Sequence, residues 1–154
     1  EFELIDGVAD AIKKINASGY LAMVVTNQPV IARGEVSFEE LGVIHNKMET
    51  LLGKEGAYLD AIYFCPHHPH KGYEGERPEL KFDCDCRKPK PGMLLKAALD
   101  FNIDLAQSWM IGDGENDVKA GQNAGCRTAL IGNESYGQTV TVSSLKDFVE
   151  QYLK

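Results

Sequence analysis

The sequence predicts a doubly wound, Rossmann-like α/β fold, in which helices cover both faces of a parallel β-sheet. Short apolar runs alternate along the chain with segments of helical periodicity, the order that is typical of βαβ units. Residues 20–25 form such a run without a polar interruption, as expected for a strand covered on both faces. Polar residues directly follow several predicted strands. Binding and active sites of parallel sheets lie at the carboxyl ends of the strands.

The first half of the chain predicts a helix, a strand, a second helix and a second strand. Apolar residues at helical spacing predict a helix over 8–15. Strand 20–25 follows, and a capping box at 37–40 opens a helix that runs to about Lys54. The apolar run 61–64 predicts the next strand.

The second half continues this alternation after a polar segment at 66–89. The predicted elements are, in order, a helix from Pro91, a strand at 109–111, a helix at 116–124, a strand at 128–131 and a closing helix at 144–152. No internal repeat or low-complexity tract divides the chain, so we expect residues 1–154 to belong to one domain.

Composition limits the classes of partner. The net charge of −7 argues against nucleic acid or an anionic membrane as the main partner. No apolar run approaches the roughly 20 residues of a membrane span, and no signal peptide is recognisable. We therefore expect a cytoplasmic protein with no membrane partner. The sequence does not decide between a monomer and an oligomer.

Three cysteines and a histidine in and beside the polar segment predict a metal site. The residues are Cys65, His67, Cys84 and Cys86, arranged as two pairs with one residue between the members of each pair. Three thiolates and an imidazole match the tetrahedral ligand sets of structural zinc sites. His68 and His70 stay open as alternative fourth ligands. A disulfide is not expected without a sign of secretion, so the prediction is a closed zinc site that orders the loop.

A second group of polar residues fits phosphate chemistry. It comprises Thr26, Asn27 and Gln28 after one predicted strand, Arg87 and Lys88 after the second cysteine pair, and Asp113 and Asp117 at the start of a helix. Taken singly, these residues are common in turns, helix caps and solvated surfaces. Taken together, a hydroxyl, a lysine and two carboxylates can hold a phosphoryl group and its magnesium ion.

These motifs resemble those of the haloacid dehalogenase-like phosphatases. The shared order is Thr-Asn after a strand, Lys before a helix, and Gly-Asp-x-x-x-Asp. Within that superfamily the chain is most similar to the D,D-heptose 1,7-bisphosphate phosphatase family, a branch with a zinc-binding loop. The segments that carry the resemblance extend over nearly the whole chain and are 2–8, 25–28, 31–34, 65–69, 84–89 and 91–94.

The resemblance implies a role for each candidate residue. Thr26 would hydrogen-bond the transferring phosphoryl group, Lys88 would neutralise its charge, and Asp113 would bind Mg²⁺. Asp117 would either bind Mg²⁺ as well or support Asp113. The residues implied in recognising the phosphorylated sugar are Asn27, Gln28, Arg33 and Arg87. The implied ligands of the structural Zn²⁺ are Cys65, His67, Cys84 and Cys86.

One motif of the family is not found on a predicted strand of this chain. Such phosphatases use an Asp-x-Asp pair on the first, central strand as nucleophile and general acid–base. The first strand of the family carries this Asp-x-Asp pair, which includes the nucleophile. The resemblance places the pair about two dozen residues ahead of Glu1. We therefore expect the first strand to be absent from this chain, which would be N-terminally incomplete and inactive as given.

The resemblance implies a magnesium-dependent phosphatase that acts on D-glycero-D-manno-heptose 1,7-bisphosphate. Histidinol-phosphate phosphatase is the near alternative, because that branch has the same cysteine pairs, although segments 31–34 and 68–83 favour the heptose branch. A non-catalytic phosphosugar-binding module is a further alternative if the full-length protein lacks the Asp-x-Asp pair. A signalling receiver domain is disfavoured, since it needs a phospho-accepting aspartate where Cys65 follows the strand.

Overall fold

The computed structural model describes residues 7–27, 38–65 and 88–153. Helices alternate with strands in these ranges, and the paired strands are parallel. The α/β class predicted from the sequence is therefore confirmed. The chain divides into two compact units, Glu1–Cys84 with Leu153–Lys154, and Asp85–Tyr152. None of the described helices is long and apolar enough to cross a membrane.

The first unit contains a parallel strand pair and two helices. Its elements are α1 (Val8–Ala17), β1 (Met23–Asn27), α2 (Phe38–Lys54) and β2 (Ala61–Cys65). The inward face of α1 buries Ala11 and Ile12, as its helical spacing predicts. Because Asn27 lies opposite Cys65, β1 and β2 end at the same edge of their sheet. That edge carries the residues predicted to be functional.

Strand β1 begins later than the apolar run 20–25 predicted. The side chains of Tyr20 and Leu21 are 40% and 46% exposed, so this part of the run is not covered on both faces. Asp60 holds Ala22 through two hydrogen bonds: its Oδ2 accepts the Ala22 N–H at 2.7 Å, and its own N–H donates to the Ala22 carbonyl at 2.7 Å. Regular pairing with β2 begins directly after this contact, at Met23.

The second unit is a three-stranded parallel sheet with order β3-β4-β5. Its elements are α3 (Gly92–Phe101), a 3-10 turn (Leu105–Gln107), β3 (Trp109–Gly112), α4 (Glu115–Ala124), β4 (Arg127–Ile131), β5 (Val140–Val142) and α5 (Leu145–Tyr152). The predicted helices and strands lie within one residue of these bounds. Strand β5 was not predicted, because three residues in a polar stretch show too little alternation to be recognised.

Helix α4 approaches its sheet most closely at Gly121. A Cβ atom at this position would lie 2.6 Å from Cγ2 of Thr128 on β4 and 2.7 Å from Cβ of Met110 on β3. Thr128 and Met110 are both buried, so neither can move into solvent. Glycine is required here because the helix and the sheet leave no room for a side chain.

Gly121→Ala is expected to lower the free energy of unfolding by about 1–3 kcal/mol, because the added methyl group overpacks the core. Gly42→Ala in α2 is the matched control, since nothing lies within 4 Å of a Cβ at that position. It is expected to raise the free energy of unfolding by roughly 0.5–1 kcal/mol through helix propensity. Urea unfolding followed by circular dichroism measures both changes. Equal effects of the two substitutions would contradict the close approach at Gly121.

Candidate active site

The polar edge of the second unit is built around the Asp117 carboxylate, in the first turn of α4. Its Oδ1 accepts a hydrogen bond from Nζ of Lys88 within an ion pair. Its Oδ2 accepts the backbone N–H of Asp113 at 3.2 Å and that of Gly114 at 3.3 Å. The Lys88 and Asp117 side chains are 13% and 14% exposed, so water and salt screen this pair less than a surface pair. One carboxylate therefore fixes both the lysine and the turn after β3.

Gly112, the last residue of β3, makes room for this carboxylate. A Cβ atom at position 112 would lie 2.3 Å from Oδ2 and 2.4 Å from Cγ of Asp117. Any side chain there would push Asp117 away from the turn that its Oδ2 holds. The motif therefore needs glycine before its first aspartate for a steric reason, which the sequence analysis did not identify.

Asp113 presents a second carboxylate at the same edge. It is the first residue after β3, its side chain is exposed, and its backbone N–H is held by Asp117. A carboxylate in this position fits Mg²⁺, which prefers oxygen ligands and keeps several of its waters. Within the described ranges, no group of three or more His, Cys, Asp or Glu side chains is placed to hold a metal ion. The role of Asp113 as a magnesium ligand stays a prediction.

Asp117 fits the supporting role better than that of a magnesium ligand. Both of its carboxylate oxygens are already engaged, Oδ1 with the Lys88 ammonium group and Oδ2 with two backbone N–H groups. Direct binding to Mg²⁺ would compete with these partners and would place the cation close to the Lys88 ammonium group. The arrangement therefore favours the second of the two roles predicted for Asp117.

The first unit places Thr26 within β1 and Cys65 at the last position of β2, whereas the sequence predicted that each residue directly follows its strand. Thr26 lies opposite Phe64, and Asn27 lies opposite Cys65. Cys65 is fully buried, and its sulfur is disulfide-bonded. A disulfide sulfur has no thiolate to offer a metal ion. The structure therefore does not support Cys65 as a zinc ligand, and that role stays a prediction from the sequence.

Several predicted site residues lie outside the described residues. They are Gln28, Arg33, His67, Cys84, Cys86 and Arg87, together with the alternative ligands His68 and His70. The remaining cysteine, Cys126, is a free and half-buried thiol. Burial raises the pKa of Cys126, so this thiol stays protonated near neutral pH and is a poor nucleophile.

The structure adds one contact to this edge that the sequence does not reveal. Asn123 Nδ2, in the last turn of α4, donates a hydrogen bond of 2.9 Å to the carbonyl of Pro89. Pro89 directly follows Lys88, so this contact holds the backbone that carries the lysine. The two residues are 34 positions apart, and no local spacing pattern relates them.

Comparison with known proteins identifies the family. The sequence family described as "HAD-hyrolase-like" matches residues 85–151, the range that contains Lys88, Asp113 and Asp117. The D-glycero-beta-D-manno-heptose-1,7-bisphosphate 7-phosphatase of Pasteurella multocida (strain Pm70) is 44% identical over 131 residues, which cover 85% of this chain and 68% of that protein. The chain belongs to the heptose 1,7-bisphosphate phosphatase family. The resemblance found in the sequence motifs is thereby confirmed.

Two further members of the family support the assignment. The D-glycero-alpha-D-manno-heptose-1,7-bisphosphate 7-phosphatase of Burkholderia mallei (strain ATCC 23344) is 40% identical over 131 residues, covering 85% of this chain and 67% of that protein. The crystal structure of D,D-heptose 1.7-bisphosphate phosphatase from B. bronchiseptica, complexed with magnesium and phosphate, has a TM-score of 0.82 at 31% identity. The structural match covers 97% of this chain and 83% of the chain from B. bronchiseptica. The predicted haloacid dehalogenase-type fold and phosphatase class are therefore confirmed.

Proposed function

We propose that the protein removes the 7-phosphate of D-glycero-D-manno-heptose 1,7-bisphosphate in a magnesium-dependent reaction. The observation that carries this proposal is the shielded Lys88–Asp117 pair beside the exposed Asp113 carboxylate, in a member of this family. Phosphoryl transfer spreads negative charge over three equatorial oxygens, and a preorganised cation stabilises that charge. Lys88 is such a cation because its ammonium group is already fixed by Asp117.

The nucleophile, we propose, is the first aspartate of an Asp-x-Asp strand that the family resemblance places ahead of Glu1. Its carboxylate attacks phosphorus, the bond from phosphorus to the C7 oxygen breaks, and the second aspartate gives that oxygen a proton. Water then hydrolyses the aspartyl-phosphate, which releases inorganic phosphate and frees the first aspartate.

The described residues contribute binding and charge to this reaction. Lys88 binds a phosphoryl oxygen, and Asp117 keeps the ammonium group in place while the charge on that oxygen grows. Asp113 would bind magnesium, which supplies further positive charge to the phosphoryl group when it is bound. The proposal that Thr26 hydrogen-bonds the transferring phosphoryl group rests on the family resemblance. So does the recognition of the phosphorylated sugar by Asn27, Gln28, Arg33 and Arg87.

We further propose that the reduced protein binds one structural zinc ion. The proposed ligands are Cys65, His67, Cys84 and Cys86. Cys65 supports this proposal by its place at the buried end of β2, which would anchor one side of the loop to the sheet. The loop leads directly into Arg87 and Lys88, so the metal would orient residues that bind phosphate. Thiolate ligands persist in a reducing compartment, which agrees with the proposed cytoplasmic location.

Phosphate release by the full-length protein tests the proposed substrate. We expect its kcat/KM for heptose 1,7-bisphosphate to exceed that for histidinol phosphate by about two orders of magnitude or more, because a site built for sugar hydroxyls leaves buried polar groups unpaired with any other substrate. Both anomers of the heptose bisphosphate belong in the assay, since relatives named for each are similar to this chain.

Two outcomes of this assay would contradict the proposal. Faster release from histidinol phosphate would show that histidinol phosphate is the preferred substrate. Binding of the heptose bisphosphate in titration calorimetry without any phosphate release would identify a non-catalytic binding module. Omission of magnesium, with EDTA present, is the control that separates enzymatic from spontaneous hydrolysis.

A further inference from the structure

We propose that Asn123 is a positioning residue for Lys88, because it anchors the backbone from which the lysine reaches the phosphoryl group. The expected effect of Asn123 on catalysis rests on the proposed function. The anchoring of the backbone next to Lys88 by Asn123 does not. Asn123 Nδ2 donates to the Pro89 carbonyl at 2.9 Å, and Lys88 Nζ pairs with Asp117. Helix α4 thus contacts the segment 88–89 twice, once on the backbone and once on the side chain.

The two contacts lie at opposite ends of α4. Asp117 is in the first turn and Asn123 is in the last, so they are separated by about 9 Å along the helix axis at 1.5 Å per residue. The backbone of residues 88 and 89 and the Lys88 side chain together connect these two contacts. Because the backbone is held at one end and the ammonium group at the other, the lysine has few alternative rotamers that keep its pair with Asp117.

The neighbouring prolines reduce the number of backbone hydrogen bonds that this segment can make. Pro89 has no N–H with which to hold its own turn, and its carbonyl is the group that Asn123 uses. Pro91 is the N-cap of α3, and its carbonyl accepts the Leu95 N–H at 2.9 Å as the first bond of that helix. Asn123 therefore ties the start of α3 to the end of α4 at the residue next to Lys88.

Asn123→Ala is expected to lower kcat about five- to tenfold with little change in KM, since it removes one hydrogen bond that orients a group acting in the transition state. The substitution should not unfold the protein, because Asn123 is exposed and alanine favours the helix. Gln122→Ala is the matched control on the same turn. Gln122 donates instead to the carbonyls of Tyr136 and Gly137, so its loss should leave kcat unchanged.

A double variant separates positioning from general loosening of the fold. In the background of Lys88→Met, Asn123→Ala is expected to have no further effect on kcat, because the lysine that it positions is gone. A further fall of the same size as in the wild-type background would overturn the proposal, since the effect would then not act through Lys88.

Chemical labelling gives a readout that does not depend on activity. The Lys88 side chain is 13% exposed, so its acylation in the wild-type full-length protein should be slow. Acylation at Lys88, followed by mass spectrometry, is expected to become several-fold faster in Asn123→Ala and to stay unchanged in Gln122→Ala. If the wild type releases no phosphate but labelling responds as expected, the proposed function fails while the anchoring role stands. Unchanged labelling and unchanged kcat would overturn the anchoring role itself.

Discussion

Asp113→Asn and Asp117→Asn in the full-length protein are expected to impair phosphate release in different ways. Asp113→Asn should lower kcat/KM by at least about 100-fold at physiological magnesium, because a metal on the phosphoryl oxygens contributes several kcal/mol to the transition state. Part of this loss should be recovered at high magnesium concentration. The expectation follows from the exposed carboxylate of Asp113, which fits a hard cation.

Asp117→Asn should lower kcat by about 10–100-fold, because the side chain at position 117 no longer carries the negative charge that pairs with the Lys88 ammonium group. The magnesium concentration that gives half the maximal rate should stay unchanged, since both oxygens of Asp117 serve other groups. Rates measured over a series of magnesium concentrations for the wild type and both variants distinguish a magnesium ligand from a supporting residue. Equal increases in the magnesium requirement would show that Asp117 is also a ligand and that its supporting role is wrong.

The elements of this fold could be predicted because their signals are local. Helical spacing and a capping box lie within one segment of the chain, and the helices and strands predicted from them match the structure closely. The exceptions have non-local causes. Strand β1 starts at Met23, directly after Ala22, whose backbone N–H is bound by Asp60 from 38 positions away. Strand β5 depends on pairing with β4, and its three residues show little pattern of their own.

The candidate site divides in the same way. Lys88, Asp113 and Asp117 were recognised from motif order, which is a property of the sequence alone. Their geometry was not, because the Lys88–Asp117 pair joins residues that are 29 positions apart. The need for glycine at position 112 is visible only when the Asp117 carboxylate is seen to lie on its backbone. Motif order therefore identified the candidate residues, whereas the contacts among them are visible only in the tertiary structure.

Removal of zinc from the reduced full-length protein is expected to abolish phosphate release even with magnesium in excess. Zinc binding by structural sites contributes on the order of 10 kcal/mol, so the loop that leads into Arg87 and Lys88 should lose its order without the metal. Elemental analysis should find one zinc ion per chain before chelation, and added zinc should restore activity. Full activity after verified loss of zinc would show that the metal has no part in orienting the site.

Cysteine variants distinguish a zinc site from a disulfide at Cys65. Cys65→Ser and Cys84→Ser should both lose zinc, whereas Cys126→Ser is the matched control and should keep it, since Cys126 is a free thiol outside the predicted ligand set. Alkylation of the denatured protein without reductant gives an independent count. A zinc site predicts that all 4 cysteines react once the metal is released. The disulfide at Cys65 predicts two fewer reactive thiols and no bound zinc. Two fewer reactive thiols and no zinc in protein purified under reducing conditions would overturn the zinc proposal.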